Sequence, residues 1–186
     1  MKKTYLLTLL IVFAFVNIQK LHAQSSISTD TLKSWMVADW QRAKAYTDEY
    51  LNTMPADKFS MRAQDSIRTF AQQMLHLASV NYFLAGAAVG MPANMPQRDL
   101  EKEPTAQTKD SVTYLVNQSY DFVINGIKNM SGSAFTENAT VNLGREFSFS
   151  KYVWLQKAFE HQSHHRGQTT IYIRLAGMKP PQEKLF

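Results

Sequence analysis

The sequence predicts an all-α protein with the architecture of a four-helix bundle. Four segments repeat apolar residues at three- and four-residue spacings, whereas the two-residue alternation that is typical of strands is rare. Each of these segments has one apolar face, and such a face must be buried against neighbouring elements. Four helices of roughly 20 to 27 residues can bury all of their apolar faces around one core, as in known bundles.

Capping residues and helix breakers set the expected bounds of the four helices. Asp30 is the expected N-cap of the first helix, and Gly177 is the expected C-terminal signal of the fourth. Gly90, Pro92 and Pro96 stop the second helix. The predicted helices run from about Thr31 to Leu51, from Asp65 or Ser66 to Val89, from Lys109 to Met130, and from Ser148 or Ser150 to Ala176.

The long connection between helices 3 and 4 contains the strand-like part of the sequence. Thr140-Val141-Asn142-Leu143 and Glu146-Phe147-Ser148-Phe149 flank Gly144. A short hairpin and an ordered loop are both consistent with residues 134–149.

The N-terminus has the features of a secretory signal peptide. Lys2 and Lys3 precede an apolar run over residues 5–16, and Ala23 suits the position before a signal-peptidase cut. The run of about 12 residues is shorter than the roughly 20 that a membrane span needs. We therefore expect export, to the periplasm or outside the cell, without stable membrane insertion after cleavage. A retained membrane anchor is the alternative.

The expected domain organisation follows from this leader and from the helices. The predicted segments are a signal peptide at 1–23, a flexible stretch at 24–29, the bundle at 30–181 and a C-terminal tail at 182–186. Cleavage removes three of the 20 basic residues, so the mature chain is only weakly basic and gives no support to nucleic-acid binding. The chain has no cysteine, which excludes disulfides, thiol nucleophiles and thiolate metal ligands.

Histidines are therefore the candidate metal ligands. His161 and His165 are four residues apart on a predicted helix, which places two imidazoles on one face about 6 Å apart. His76 lies on the second predicted helix and could supply a third imidazole, although a single helical histidine is more often structural. Three imidazoles are the number used by catalytic zinc sites that keep a position for water. Spacing does not distinguish Zn²⁺, Ni²⁺ and Fe²⁺.

Other residues of the same segment receive separate interpretations. His164 lies about 100° around the helix from His165, so we expect it outside the site and paired with Glu160. Arg166 could bind an anionic group of a substrate or make a surface salt bridge. Arg166 and Gln168 are the candidates for supporting catalysis. Tyr172, Trp154 and residues 134–149 are candidate pocket walls.

These residues resemble the C-terminal signature of the DinB/YfiT-like family. The signature is carried by His161-x-x-x-His165-Arg166-Gly167-Gln168, then by Tyr172 to Gly177 and Pro180-Pro181. Residues 65–70, followed by His76, are similar to the second-helix motif of the family. The resemblance extends from about Thr31 to Pro181.

The resemblance implies a four-helix bundle in which three histidines hold a divalent metal, often nickel or zinc. On this chain the implied ligands are His76, His161 and His165. Characterised relatives include thiol-dependent transferases and a mycothiol-dependent isomerase, in which the metal activates the thiol of a small cofactor. Homodimers are common in the family.

The leading functional hypothesis is an exported metal-dependent enzyme that activates a water or thiol nucleophile, of the hydrolase or thiol-transferase type. Its substrate would be a small molecule of unknown identity. Export argues against a cytosolic thiol cofactor, because such thiols are readily oxidised outside the inner membrane. The alternative is a non-catalytic helical-bundle binding protein in which the metal is structural or absent.

Overall fold

The computed structural model describes residues 27–91 and 99–186. In this part of the chain four long helices form the predicted bundle, together with one two-stranded sheet. The predicted signal peptide, Pro92 and Pro96 lie outside the described residues. Within the described ranges, no helix is both long and apolar enough to cross a membrane.

The helices follow one another in the predicted order. The second helix is continued by a π-helical turn and a short α-helical end, and 3₁₀ turns occupy several connections. The main elements are α1 (Thr29–Thr53), α2 (Phe70–Val80, continued by Asn81–Ala85 and Gly86–Val89), α3 (Lys109–Asn129), β1 (Asn138–Asn142), β2 (Glu146–Ser150) and α4 (Lys151–Leu175).

Helix α1 begins two residues earlier than predicted, and its N-cap is Ser28 rather than Asp30. The Ser28 Oγ accepts a hydrogen bond from the backbone N–H of Thr31 at 3.1 Å. Asp30 lies instead in the first turn, where a carboxylate interacts favourably with the helix dipole. Both residue types can cap a helix, so the sequence alone did not separate them.

Helix α2 begins later than predicted, at Phe70, and neither Asp65 nor Ser66 caps it. Thr69 and Gln72 form a capping box in which Oγ1 of Thr69 accepts from the Gln72 N–H at 3.1 Å. In return, Oε1 of Gln72 accepts from the Thr69 N–H at 2.9 Å. Two backbone donors are satisfied reciprocally, which explains why the helix starts here.

The residues before α2 fold back along the chain instead of extending the helix. Arg62 and Thr69 form an antiparallel bridge, and the Phe70 N–H donates to the Met61 carbonyl at 3.0 Å. Ile67, which lies within the predicted bounds of the second helix, is outside the observed helix and 40% exposed. This turn places Arg68 beside the first turns of α2.

The core lies between the four helices and is rich in aromatic side chains. Helix α1 packs against α3, and α2 packs against both α3 and α4. Trp40 makes edge-to-face contacts with Tyr120 and Phe159, with ring centroids 5.7 and 5.4 Å apart. Such pairs contribute about 0.5–1.5 kcal/mol each beyond the burial of their surface.

The connection between α3 and α4 contains a hairpin. Of the two alternatives for residues 134–149, a short hairpin and an ordered loop, the hairpin is therefore the one observed. Strands β1 and β2 pair antiparallel, and Gly144 adopts a φ of 84° in the turn between them. Ser150 then caps α4, as predicted, by accepting from the Val153 N–H. Trp154 is buried and its Nε1–H donates to the Ala139 carbonyl at 2.8 Å, which fixes the hairpin on α4.

Candidate metal centre

Helices α2 and α4 bring together the three histidines that the sequence selects. One nitrogen from each of His76, His161 and His165 lies within 4.8 Å of the others. The ring centroids are 4.6 Å apart for His76 and His165, 5.2 Å for His76 and His161, and 4.3 Å for His161 and His165. This spacing places three imidazoles around one small volume that could hold a metal ion.

The three imidazoles are neutral at neutral pH. Burial, followed by the neighbouring imidazoles, lowers the pKa of His161 to about 4 and that of His165 to about 3. Burial also lowers the pKa of His76, assisted by the Arg68 guanidinium and opposed by the Glu101 carboxylate. A metal binds neutral imidazole, so no net proton has to leave the three rings before a metal can bind.

One nitrogen of the cluster has no protein partner. Nδ1 of His161 is buried, and no described residue forms a hydrogen bond with it. An unpaired buried polar atom costs about 1–3 kcal/mol, so such atoms need an explanation. A buried ring nitrogen without a partner, on a histidine beside two further imidazoles, fits a site that a metal ion completes. The donor set therefore suits a divalent transition metal.

A carboxylate and a guanidinium lie behind His76. Oε1 of Glu101 is 3.6 Å from Nδ1 of His76, and Nη2 of Arg68 is 3.3 Å from the same nitrogen. Arg68 and Glu101 also form an ion pair, and the Tyr172 hydroxyl donates to the Arg68 carbonyl at 2.7 Å. Ligating histidines commonly donate their second N–H to a carboxylate, which orients the ring, and Glu101 is the carboxylate that would accept from Nδ1 of His76 in a metal-bound site. Nε2 of His76 is thus left for the cluster.

Gln73 and Gln168 form the corresponding support behind His165. Nε2 of Gln73 is 2.9 Å from Nδ1 of His165 and also contacts Oε1 of Gln168. Nε2 of Gln168 is 2.9 Å from Nε2 of His164. The structure therefore brings Gln168 to the site through Gln73. His164 is exposed and pairs with Gln168 one turn later, not with Glu160 as predicted, and it is outside the three-ligand group.

Arg166 lies on another side of α4, facing α1. Its Nη1 donates to Oε1 of Gln162 at 2.8 Å and to Oγ1 of Thr47 at 3.4 Å, and its guanidinium lies 4.6 Å from the ring centroid of Tyr46. The structure does not bring Arg166 to the three imidazoles. Among the described residues no carboxylate is within ion-pair distance of it, so a surface salt bridge is not present either.

A cavity of about 740 Å³ opens beside the residues that support the histidines. Arg68, Gln73, Gln168 and Tyr172 line it, so the groups that orient the imidazoles also face a space large enough for a small molecule. Of the candidate pocket walls, Tyr172 lines this cavity. Neither Trp154 nor residues 134–149 do so.

Comparison with known protein families identifies the family of this chain. The model of the DinB family matches residues 28–185, which includes all three histidines. The chain belongs to the DinB family. Members of this family are often metal-binding, and the three-histidine cluster of this DinB protein could hold a metal ion. No curated protein sequence matches the chain at a significant level.

Three solved structures, two of them of DinB-like proteins, share the fold. A DinB-like protein from Bacillus cereus is 15% identical, with a TM-score of 0.67 over 80% of this chain and 95% of that one. A DinB-like protein from Bacillus subtilis is 16% identical, with a TM-score of 0.62 over 82% and 96%. A conserved protein from Enterococcus faecalis is 14% identical, with a TM-score of 0.54 over 77% and 96%.

Sequence reasoning missed three groups that support the ligands of this DinB protein. Gln73 is three residues before His76, and a polar side chain on that face of α2 was a usable signal. Arg68 lies within the second-helix motif at residues 65–70, but the motif assigns it no contact with His76, and Glu101 had no signal. Arg68 precedes the helix start, and Glu101 reaches His76 only because of the fold of the connection after α2.

Proposed function

We propose that this DinB protein is an exported metal-dependent enzyme that acts on a small molecule. His76, His161 and His165 would hold one divalent Zn, Ni or Fe ion. The observation that carries the proposal is the convergence of three neutral imidazoles, with one buried nitrogen unpaired. The residues that support two of them, Arg68, Glu101, Gln73 and Gln168, line a cavity of about 740 Å³.

The side chains around the cluster have separable tasks. A metal in such a site lowers the pKa of a water or thiol and so supplies a nucleophile at neutral pH. Glu101 orients His76, and Gln73 orients His165, which keeps both rings directed at the same volume. Three protein ligands leave a position for a further ligand, as in catalytic sites and unlike closed structural ones.

The charged lining of the cavity indicates how a substrate would be oriented. Three basic residues line the cavity, namely Arg62, Arg68 and Lys102. Among its described lining residues, Glu101 is the single carboxylate. The excess of positive charge favours a substrate with an anionic group, and exposed Ile171 offers an apolar contact at the same wall. Gln168, at the same wall, could donate to the substrate or hold Gln73 in place.

Export is the second part of the proposal, and it rests on residues 1–23 of the sequence. In an exported protein, water is the more available nucleophile, because reduced low-molecular-weight thiols are scarce outside the inner membrane. Hydrolysis is therefore the first reaction class to test, with thiol transfer as the second.

The first experiment measures metal content and tests single histidine variants. Mature protein purified without a histidine tag should contain about one transition metal ion per chain, and His165→Ala should lose it. His164→Ala is the matched control, because it removes an adjacent imidazole that is outside the cluster, and it should keep the metal. Wild-type protein that is metal-free and cannot be reconstituted would refute the proposal.

The second experiment screens the metal-loaded protein against esters, amides and small thiols. Activity that His164→Ala keeps and His165→Ala loses would support catalysis at the cluster. A bound metal without an exchangeable solvent ligand, whose removal lowers the unfolding temperature and changes nothing else, would have a structural role. It would stabilise the packing of α2 against α4. That result would favour the non-catalytic alternative.

A further inference from the structure

Helix α4 lines a second cavity, on the side opposite to the histidines. Phe159, Ser163, Arg166 and Gly167 recur at three- and four-residue spacings and line a volume of about 360 Å³. At 3.6 residues per turn, this face is about 180° around α4 from the face that carries His161, His165 and Gln168. The second cavity is therefore separate from the candidate metal centre.

Arg166 is the central group of the second cavity. It is only 8% exposed, and all of its hydrogen bonds within the described residues are made by Nη1. Its Nε and Nη2 have no acceptor there, and neither is among the fully buried unpartnered atoms, so both retain some exposed surface. A buried guanidinium without a counter-ion is unfavourable, and an anion that enters the cavity would remove this cost.

The walls of the cavity restrict the kind of anion. Nε and Nη2 form one edge of the guanidinium, which matches the two oxygens of a carboxylate. Tyr46, Tyr50 and Phe159 supply aromatic surface around it. The Tyr50 hydroxyl is 3.3 Å from that of Tyr46 and 3.2 Å from Oγ1 of Thr170, so both polar ends have partners and leave the rings as the contact surface.

The C-terminal tail closes one side of the cavity. The Lys184 carbonyl accepts from Nη1 of Arg42 at 2.7 Å, and Nζ of Lys184 forms an ion pair with Glu49, so the tail is fastened to α1. Glu183 is the one acidic residue among the described residues that line the cavity, whereas Arg42, Arg166 and Lys184 are basic. The lining thus carries an excess of positive charge, and Glu183 opposes the binding of an anion.

From these observations we propose that the second cavity binds a small carboxylate that has an aromatic or apolar body. The carboxylate pairs with Nε and Nη2 of Arg166, the body packs against Tyr46, Tyr50 and Phe159, and the tail residues 183–185 cover it. This site is independent of the metal and of the proposed reaction.

Benzoate is the probe for the test, used with the full mature chain in an NMR titration of backbone amides. We expect saturable shifts at Ser163, Gly167 and residues 183–185, with a dissociation constant on the order of 1 mM, which is typical of a ligand of this size. Benzamide has the same shape without the charge and should give no saturable shift. Equal binding of benzamide would overturn the proposal.

Variants separate the second cavity from the metal centre, where a carboxylate could also bind. Arg166→Gln should weaken benzoate binding at least about tenfold, because it removes a charge-assisted pair. His165→Ala should leave binding unchanged. If His165→Ala abolishes binding and Arg166→Gln does not, benzoate occupies the metal centre and the proposal is wrong.

Two further variants keep the test decisive if Arg166→Gln does not fold. A Cβ at Gly167 meets no heavy atom within 4 Å, so Gly167→Leu adds a bulky side chain at an open position of the cavity wall, and it should abolish binding by occupying the cavity. Glu183→Gln removes the opposing carboxylate and should strengthen binding about threefold or more. Unchanged affinity in Gly167→Leu would refute the assignment of the cavity.

Discussion

Oε1 of Glu101 lies 3.6 Å from Nδ1 of His76, although a long connection separates the two residues in the sequence. A carboxylate in this position holds the ring of a ligating histidine and raises its basicity. Arg68 pairs with the same carboxylate, so Glu101 is itself held in place.

Glu101→Gln should therefore weaken metal binding without abolishing it. Loss of such a support typically lowers metal affinity 10–100-fold, because the imidazole is less well oriented and less basic. Competition with a chromophoric zinc chelator measures the affinity. Glu160→Gln is the matched control, since Glu160 is an exposed carboxylate of α4 outside the three-ligand group, and its affinity should equal that of the wild type.

The lowered pKa values of His161 and His165 predict how the stability of the metal-free protein depends on pH. Both groups titrate near 6.5 when unfolded, and at about 4 and 3 when folded. The unfolded state therefore binds more protons between these values. The stability that neutral imidazoles allow is fully present above pH 6.5 and is lost as the pH falls towards 4 and 3.

As the pH falls through that range, His161 and His165 should each lower the free energy of unfolding by up to about 1.4 kcal/mol per pH unit. Urea unfolding at pH 7.0, 6.0 and 5.0 measures the slope. His165→Gln should reduce the slope, whereas His164→Gln should change it less, because His164 is only a smaller cause of the lowered pKa values of His161 and His165. A slope that both variants leave unchanged would contradict the pKa assignment.

The parts of the fold that the sequence predicted are those whose signals are local. Helix α4 begins after Ser150 and ends before Gly177, which has a φ of 77°, and both signals come from the chain next to the helix end. The start of α2 was missed because Asp65, Ser66 and Thr69 can all cap a helix. Only the bridge between Arg62 and Thr69 selects the last of them.

The same distinction applies to the candidate site. His161 and His165 share a face of one helix, so their proximity follows from helix geometry. Arg166 is adjacent to His165 in the sequence, but successive residues are about 100° apart around the helix axis. The Arg166 side chain therefore faces α1. Glu101 could not be placed at all, because its position depends on a connection without periodicity.

The buried hydroxyl of Tyr120 links three helices, and its removal should be costly. It donates to Oε1 of Gln162 at 2.7 Å and lies 2.7 Å from Oγ1 of Thr47. Tyr120→Phe leaves those buried groups with fewer partners, so the free energy of unfolding should fall by about 1–3 kcal/mol. Tyr114→Phe, at a residue that is 63% exposed, should change it by less than about 0.5 kcal/mol in the same urea titration.

Two glycines within helices should respond oppositely to the same substitution. A Cβ at Gly126 of α3 would lie 2.6 Å from the Val89 side chain, so α2 and α3 approach each other too closely there for alanine. Gly126→Ala should therefore destabilise the protein by about 1–3 kcal/mol, despite the better helix propensity of alanine. At Gly167 of α4 a Cβ meets nothing within 4 Å.

Gly167→Ala should consequently stabilise the protein by about 0.5–1 kcal/mol, because propensity acts there without a clash. Urea unfolding of both variants beside the wild type measures the two changes. The sign of each difference is the test, since helix propensity alone predicts stabilisation at both positions. A stabilised Gly126→Ala would mean that Val89 can move aside and that the contact between α2 and α3 is looser than the distances indicate.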